Sequence, residues 1–192
     1  MVTLDGGGLD KDLGGEIIPT CFTVWEGSGT KLKKIDVIHS EILNIGFAWQ
    51  RITKLVFGLS SGHPKGNQAG TVMAMACMGD PSKHLEYFEK FNFRKMKEIV
   101  SRSEQDAFDV AAALQVATEN KIRELFDQIV ERTDKKYLCL SGGVVLNSVM
   151  TGKLFDWYGD KFKDIYVCPV SYDAGLAIGS AQYYWHDVLG KS

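Results

Sequence analysis

The period of apolar and polar positions changes along this chain. Through the first 38 residues the apolar positions fall in short runs punctuated by glycine. VTLD at 2–5 predicts a strand that runs into a turn at Gly6, Gly7 and Gly8. Residues 17–26 carry Thr20, Phe22, Val24 and Trp25, a composition typical of strands, and predict a second. Gly27, Ser28 and Gly29 mark a turn, and residues 32–38 a third strand paired with the second as a hairpin. Three strands in succession predict an antiparallel meander.

A helical period follows. Ile42, Ile45, Phe47, Trp49, Ile52, Leu55 and Val56 give one helix a broad apolar side. Residues 61–70, SGHPKGNQAG, read as a loop, 70–78 as a short apolar helix ending near Gly79 and Pro81, and 83–93 as another short helix. The longest helix is predicted over 103–132. Ser103 and Asp106 fit a capping box, and Ala111, Leu114, Thr118, Ile122, Leu125 and Ile129 recur at three- and four-residue steps. YLCL at 137–140 fits a short buried strand. A helix from about 144 to 157, a strand over 164–169 and a helix from about 173 to 189 complete the chain. The order β-β-β-α-β-α-β-α predicts an α/β domain over 1–192 with a mixed five-stranded sheet. That is an RNase H-like lobe of the actin-like ATPase (ASKHA) type. The last two strands should run parallel to the first, with helices on both faces.

Composition narrows the function classes more than it selects one. At 192 residues, with 45% hydrophobic and 24% charged residues, the chain can bury a proper core. A net charge of −2 and a pI near 6.1 give no electrostatic case for nucleic acid or an anionic membrane. No apolar run is as long as a membrane span and the first residues do not resemble a signal peptide, so a cytoplasmic protein is expected. The cysteines Cys21, Cys77, Cys139 and Cys168 form no CxxC pair and are expected to be buried, reduced thiols. No Cys/His cluster has zinc-ligand spacing.

Three glycine-bearing segments each follow a strand. In YLCLSGGVVLN, at 137–147, Gly142 and Gly143 let the backbone turn tightly beside a flat ligand, and Asn147 sits about one turn further on. Taken alone, the glycine pair is better explained by a plain strand-to-helix connection. Asp5-Gly6-Gly7-Gly8 could cradle phosphate through its amides, with Asp5 on a cation or a water; a glycine-rich turn is the bland alternative. Asp173, in SYDAGLAIGSA, is either a first-turn carboxylate or a metal ligand at a strand end. If the strands are parallel neighbours, the three segments meet on one rim of nucleotide size, where open α/β sheets bind ligands.

The same residues resemble a family. LCLSGGVVLNSVMTGKLF followed by IYVCPVSYDAGLAIGSAQ is similar to the O-carbamoyltransferases of antibiotic and nodulation-factor biosynthesis, whose nucleotide domain is related to the tRNA threonylcarbamoyl-adenosine synthases. LDGGG, LNIGFAWQRITKLVFGL, GNQAGTVMAMACMGD and DAFDVAAALQVATENKI extend the likeness in order over nearly the whole chain. The resemblance implies that carbamoyl phosphate is cleaved to carbamate, which ATP converts to carbamoyl-adenylate. The carbamoyl group then passes to a hydroxyl of a sugar or other natural product. It implies Asp5, Gly6 and Gly7 on phosphates, Gly142, Gly143 and Asn147 on adenosine, and Asp173 on a divalent metal: iron, manganese or magnesium.

Two departures shape the expectation. Thr71 stands where the family carries a lysine, so no cation is supplied there. The family's first lobe, with its paired histidines, and its C-terminal carbamoyl-phosphate domain have no counterpart in the sequence. The chain is therefore expected to be the second lobe only. It should be inactive alone and expose an apolar face to the missing lobe or to a second copy. A non-catalytic actin-like nucleotide-binding or interaction module is the alternative. A sugar or acetate kinase has no distinctive segment to support it.

Overall fold

The computed structural model describes residues 1–40, 44–60, 67–89 and 93–191. Its strands are β1 (Val2–Lys11), β2 (Ile17–Ser28), β3 (Lys31–His39), β4 (Tyr137–Ser141) and β5 (Asp164–Val167). Its helices are α1 (Ile45–Arg51), α2 (Ala69–Met75), α3 (Glu86–Glu89), α4 (Phe93–Val100), α5 (Glu104–Arg132), α6 (Ser148–Tyr158) and α7 (Leu176–Tyr183). The chain divides into two compact units. One comprises Met1–Phe47 with Lys135–Ser192, the other Ala48–Asp134.

The first unit holds the expected mixed five-stranded sheet, in the spatial order β3-β2-β1-β4-β5. β1 pairs antiparallel with β2, as β2 does with β3; β4 runs parallel to β1, and β5 to β4. Val2, Leu4, Phe22, Val24, Leu138 and Leu140 are buried on it. β4 buries one face only, because Tyr137 and Cys139 alternate outward.

The glycines after Asp5 do not end β1. The strand continues to Lys11, and the pairing with β2 slips between Leu4 and Gly8. Gly6 and Gly7 form a bulge, with Gly7 at φ 146°, where a side chain would be strained. The hairpin turn falls later, where the Asp12 carboxylate accepts from the Gly14 amide at 2.8 Å and the Glu16 amide at 2.9 Å. Beyond β5 the chain makes a tight turn over Asp173–Gly175 before α7, so the last helix begins later than its apolar pattern predicts. Among the described residues, α7 and the wider helical turn Tyr184–Val188 bury no side chain.

The second unit is built on α5. Ser103 Oγ accepts from the Asp106 amide at 3.0 Å, as its capping pattern predicts, and donates to Asp106 Oδ2 at 2.7 Å. Val110, Ala111, Leu114, Ile122 and Phe126 are buried along the helix. Trp49 Nε1 donates to Thr118 Oγ1 at 2.8 Å within this core. Gly79 lies directly on α5: a Cβ there would strike the Phe108 carbonyl. The helix predicted over 83–93 is instead a tight turn at Pro81–Lys83 followed by α3, and α4 was not foreseen. Met96 and Ile99 of α4 are buried, a single three-residue step that is too short to announce a helix. In the predicted helix at 42–57, α1 widens into a turn over Ile52–Val56, where the Phe57 amide reaches the Ile52 carbonyl at 3.1 Å. Ile42, most of the loop predicted at 61–70 and the end of the helix predicted at 83–93 lie outside the described residues. No helix among the described residues is long and apolar enough to cross a membrane.

Candidate functional site

The parallel pairing of β1 with β4 sets the site. Val2 stands opposite Leu140 and Thr3 opposite Ser141, so the two strands deliver Leu4–Asp5 and Gly142–Gly143 side by side. Gly142 has φ 103°, and a Cβ on it would fall on the Leu4 carbonyl oxygen. Only glycine lets the backbone pass there. A Cβ on Gly143 would lie 3.2 Å from Asp5 Oδ1, so the carboxylate faces the Gly-Gly turn.

The segment after β5 joins the same rim. The Ser171 carbonyl accepts from the Gly142 amide at 2.7 Å and from Ser141 Oγ at 3.3 Å. Gly175 is packed so tightly that a Cβ would strike the Val170 carbonyl. Three of the expected segments therefore meet: Asp5 and Gly6, Gly142 and Gly143, and the stretch from Ser171 that leads to Asp173. Gly7 is exposed one residue along the bulge, and Asp173 is exposed on its turn.

Two expected roles look different at the atomic level. Asp5 Oδ1 accepts from the Gly6 amide at 2.6 Å, so that amide is engaged by its own neighbour. Asn147 is not one turn into a helix. Gly143–Leu146 forms a separate tight turn, and Asn147 then caps α6, its Oδ1 accepting from the Met150 amide at 3.0 Å. Cys21 is buried on the neighbouring strand β2. Burial, and then the charge of Asp5, pushes its thiol up to about 11.

The sequence did not single out two contributors. Gly46, in the first turn of α1, lies against the bulge: a Cβ on it would come 2.6 Å from Gly6 Cα. An isolated glycine in an apolar helical pattern was its only signal. Ser171 is buried, and its hydroxyl has no hydrogen-bond partner among the described residues. A buried hydroxyl left unsatisfied among backbone turns leaves no trace in the sequence pattern.

Asp173 offers one carboxylate. Among the described residues it belongs to no group of three His, Cys, Asp or Glu ligand atoms close enough to share an ion. The described residues around Asp173 do not by themselves make up a metal centre.

Comparison with known proteins gives the class. The family model for the carbamoyltransferase N-terminus matches residues 82–182, just over half of the chain. The chain belongs to that carbamoyltransferase family. It is 29% identical to the nodulation protein NolNO of Sinorhizobium fredii over 214 aligned residues, covering 100% of this chain and 28% of NolNO. It is 31% identical to the nodulation protein NolO of Bradyrhizobium diazoefficiens over 132 residues, 57% of this chain and 24% of NolO. It is also 42% identical to an uncharacterized protein of Synechocystis over 85 residues, 44% of this chain and 14% of that protein. The chain thus spans between a seventh and somewhat over a quarter of these relatives.

Proposed function

We propose that this chain is an ATP-binding lobe of a carbamoyltransferase, with the RNase H-like fold of the actin-like ATPases. The observation that carries the reading is the shared rim, where Asp5 faces Gly143 and Gly142 is bonded to Ser171. Glycine backbone at the ends of parallel strands can lie against a purine and its phosphates without a side chain in between. In this reading Asp5, Gly6 and Gly7 serve the phosphates, and Gly142, Gly143 and Asn147 the adenosine. The buried Ser171 hydroxyl gains a partner in the bound nucleotide. The full reaction converts carbamoyl phosphate to carbamate, then with ATP to carbamoyl-adenylate, and carbamoylates a hydroxyl of a sugar or natural product. A divalent ion would polarise the reacting carbonyl or phosphoryl oxygen. Asp173 would supply one ligand to it, and a second lobe would have to supply the others.

We expect the lobe to work in the cytoplasm against that partner lobe. Leu176 and Ile178 on α7, and Tyr184 and Val188 on the wider turn that follows it, lie exposed, an apolar surface that such a partner, or a second copy, would cover. Calorimetry with ATP and Mg²⁺ or Mn²⁺ tests the reading. Wild type should bind, and Asp5→Ala should lose most of the heat while its fold is kept. No ATP binding in wild type would sink it. A coupled assay with carbamoyl phosphate, ATP and a sugar acceptor should show no turnover from the chain alone. Thr71, at the position of the family's lysine, favours one alternative, a non-catalytic nucleotide-binding or interaction module. That module would bind ATP yet remain inactive when the other lobe is added.

A further inference from the structure

We propose that the helical unit carries a divalent transition-metal site of the zinc class, formed by His84, Asp106 and Asp109. The site is separate from the nucleotide rim and does not depend on the reading of that rim. One ligand atom from each of the three side chains lies within 4.8 Å of the other two. Asp106 and Asp109 are one turn apart on α5, so they share a face. His84 comes from the segment that crosses that face.

The crossing segment is held firmly. Gly79 rests on the Phe108 carbonyl, the Asp80 amide donates to Asp109 Oδ1 at 2.8 Å, and Gln105 Nε2 donates to the Met78 carbonyl at 3.1 Å. His84 stacks on Tyr87, with ring centroids 5.9 Å apart, which fixes the imidazole plane. The ligands are therefore placed by backbone anchors and packing, as a preorganised site requires.

His84 points to the ion. Both its ring nitrogens are buried, and neither has a hydrogen-bond partner among the described residues. Buried imidazole nitrogens without partners are costly, and one or both are normally satisfied. Nε2 lies 3.8 Å from Asp106 Oδ1, too far for a hydrogen bond, and a small side-chain shift would bring the pair to the roughly 3.4 Å spacing of two ligands on one tetrahedral ion. Asp106 Oδ2 is taken by Ser103, which leaves Oδ1 as the ligand atom. Asp109 Oδ1 already accepts from Asp80 and Gln105, so Oδ2 is its ligand atom. One imidazole and two carboxylates, with water completing the shell, suit zinc and its neighbours better than magnesium or calcium.

Lys83 competes for the site. Its Nζ lies 2.6 Å from Asp109 Oδ2, and its side chain is half exposed, so it can swing into water when an ion enters. The lysine is the resident cation, and the metal must displace it. This makes removal of Lys83 an unusual variant: it should tighten metal binding although it abolishes the ion pair.

Chelator-stripped full chain titrated at neutral pH with Zn²⁺ by calorimetry, and with Co²⁺ by visible absorption, tests the assignment. One equivalent should bind. His84→Ala should weaken it about a hundredfold or abolish it, and Asp106→Asn should weaken it too. Lys83→Met should tighten it about tenfold, the value of one charge-assisted hydrogen bond. His186→Ala should leave it unchanged. Circular dichroism confirms that each variant is folded. Absence of stoichiometric binding, binding unaffected by His84→Ala, or binding lost in Asp173→Ala and retained in His84→Ala would each overturn the site.

Discussion

Gly142 lies against Leu4 so closely that the space for its Cβ is already filled by the Leu4 carbonyl oxygen. The contact fixes the ends of β1 and β4 relative to each other, and with them the distance between Asp5 and the Gly-Gly turn. Gly142→Ala meets two penalties. The positive φ costs about 1 kcal/mol for alanine, and the overlap costs about 1–3 kcal/mol more through backbone displacement. A loss of about 3 kcal/mol in chemical unfolding is expected, with loss of ATP binding. Gly143→Ala should differ. Its φ is not in the left-handed region, and its Cβ would meet only Asp5 Oδ1, at 3.2 Å. Stability should fall by less than about 1 kcal/mol, while ATP affinity drops because the carboxylate must move. Equal losses in the two variants would contradict this division.

Asn147 tests whether a capping residue also touches the ligand. Its Oδ1 accepts from the Met150 amide, so Asn147→Ala should cost about 1 kcal/mol by denaturant unfolding. Asn147→Ser restores a cap without restoring the amide. If Asn147 contacts adenosine, the serine variant unfolds close to wild type yet binds ATP more weakly in calorimetry. Wild-type affinity in the serine variant would confine Asn147 to its helix.

The long-period elements were legible in the sequence because they need no tertiary information. α5 shows its capping serine and its apolar stripe, and β4 its run of apolar residues. The Gly6–Gly8 segment misled because a bulge and a turn use glycine for the same reason. Only the pairing of Gly8 with Thr20 tells them apart. Asn147 misled because capping requires a break in the chain, and the apolar run Val144-Val145-Leu146 hides it. The candidate rim was legible as three glycine segments after three strands, but Ser171 was not. Its burial is a property of the assembled turns.

Thiol reactivity should divide the cysteines by environment. Cys21 is buried on β2, and its thiol is pushed up to about 11, by burial first and by Asp5 second. At pH 8 only about one molecule in a thousand would carry that thiolate. Cys77 and Cys139 are exposed, against the burial expected of them from their apolar neighbours. Brief alkylation of the native protein, read by mass spectrometry, should label Cys77 and Cys139 and spare Cys21 until denaturant is added. Early labelling of Cys21 would mean that β2 is open where the structure closes it.

Asp109 makes the acid limb of stability specific. Burial alone would raise its pKa. Hydrogen bonds from the Asp80 amide, Lys83 and Gln105, with the charge of Lys83, outweigh burial and bring it down to about 2. The unfolded carboxyl has the ordinary value of 3.8, so the unfolded state binds this proton more readily than the folded state does. The stabilisation is therefore complete above about pH 4 and fades as pH falls toward 2. Asp109→Asn keeps the shape and removes the charge. In chelator, so that no metal contributes, the variant should be less stable than wild type by about 1–3 kcal/mol at pH 7. That gap should hold from pH 5 to about pH 4 and then narrow in urea titrations taken down to pH 2.5. A gap that stays constant over this range would show that the carboxylate's charge contributes nothing and that only its shape holds the Asp80 segment to α5.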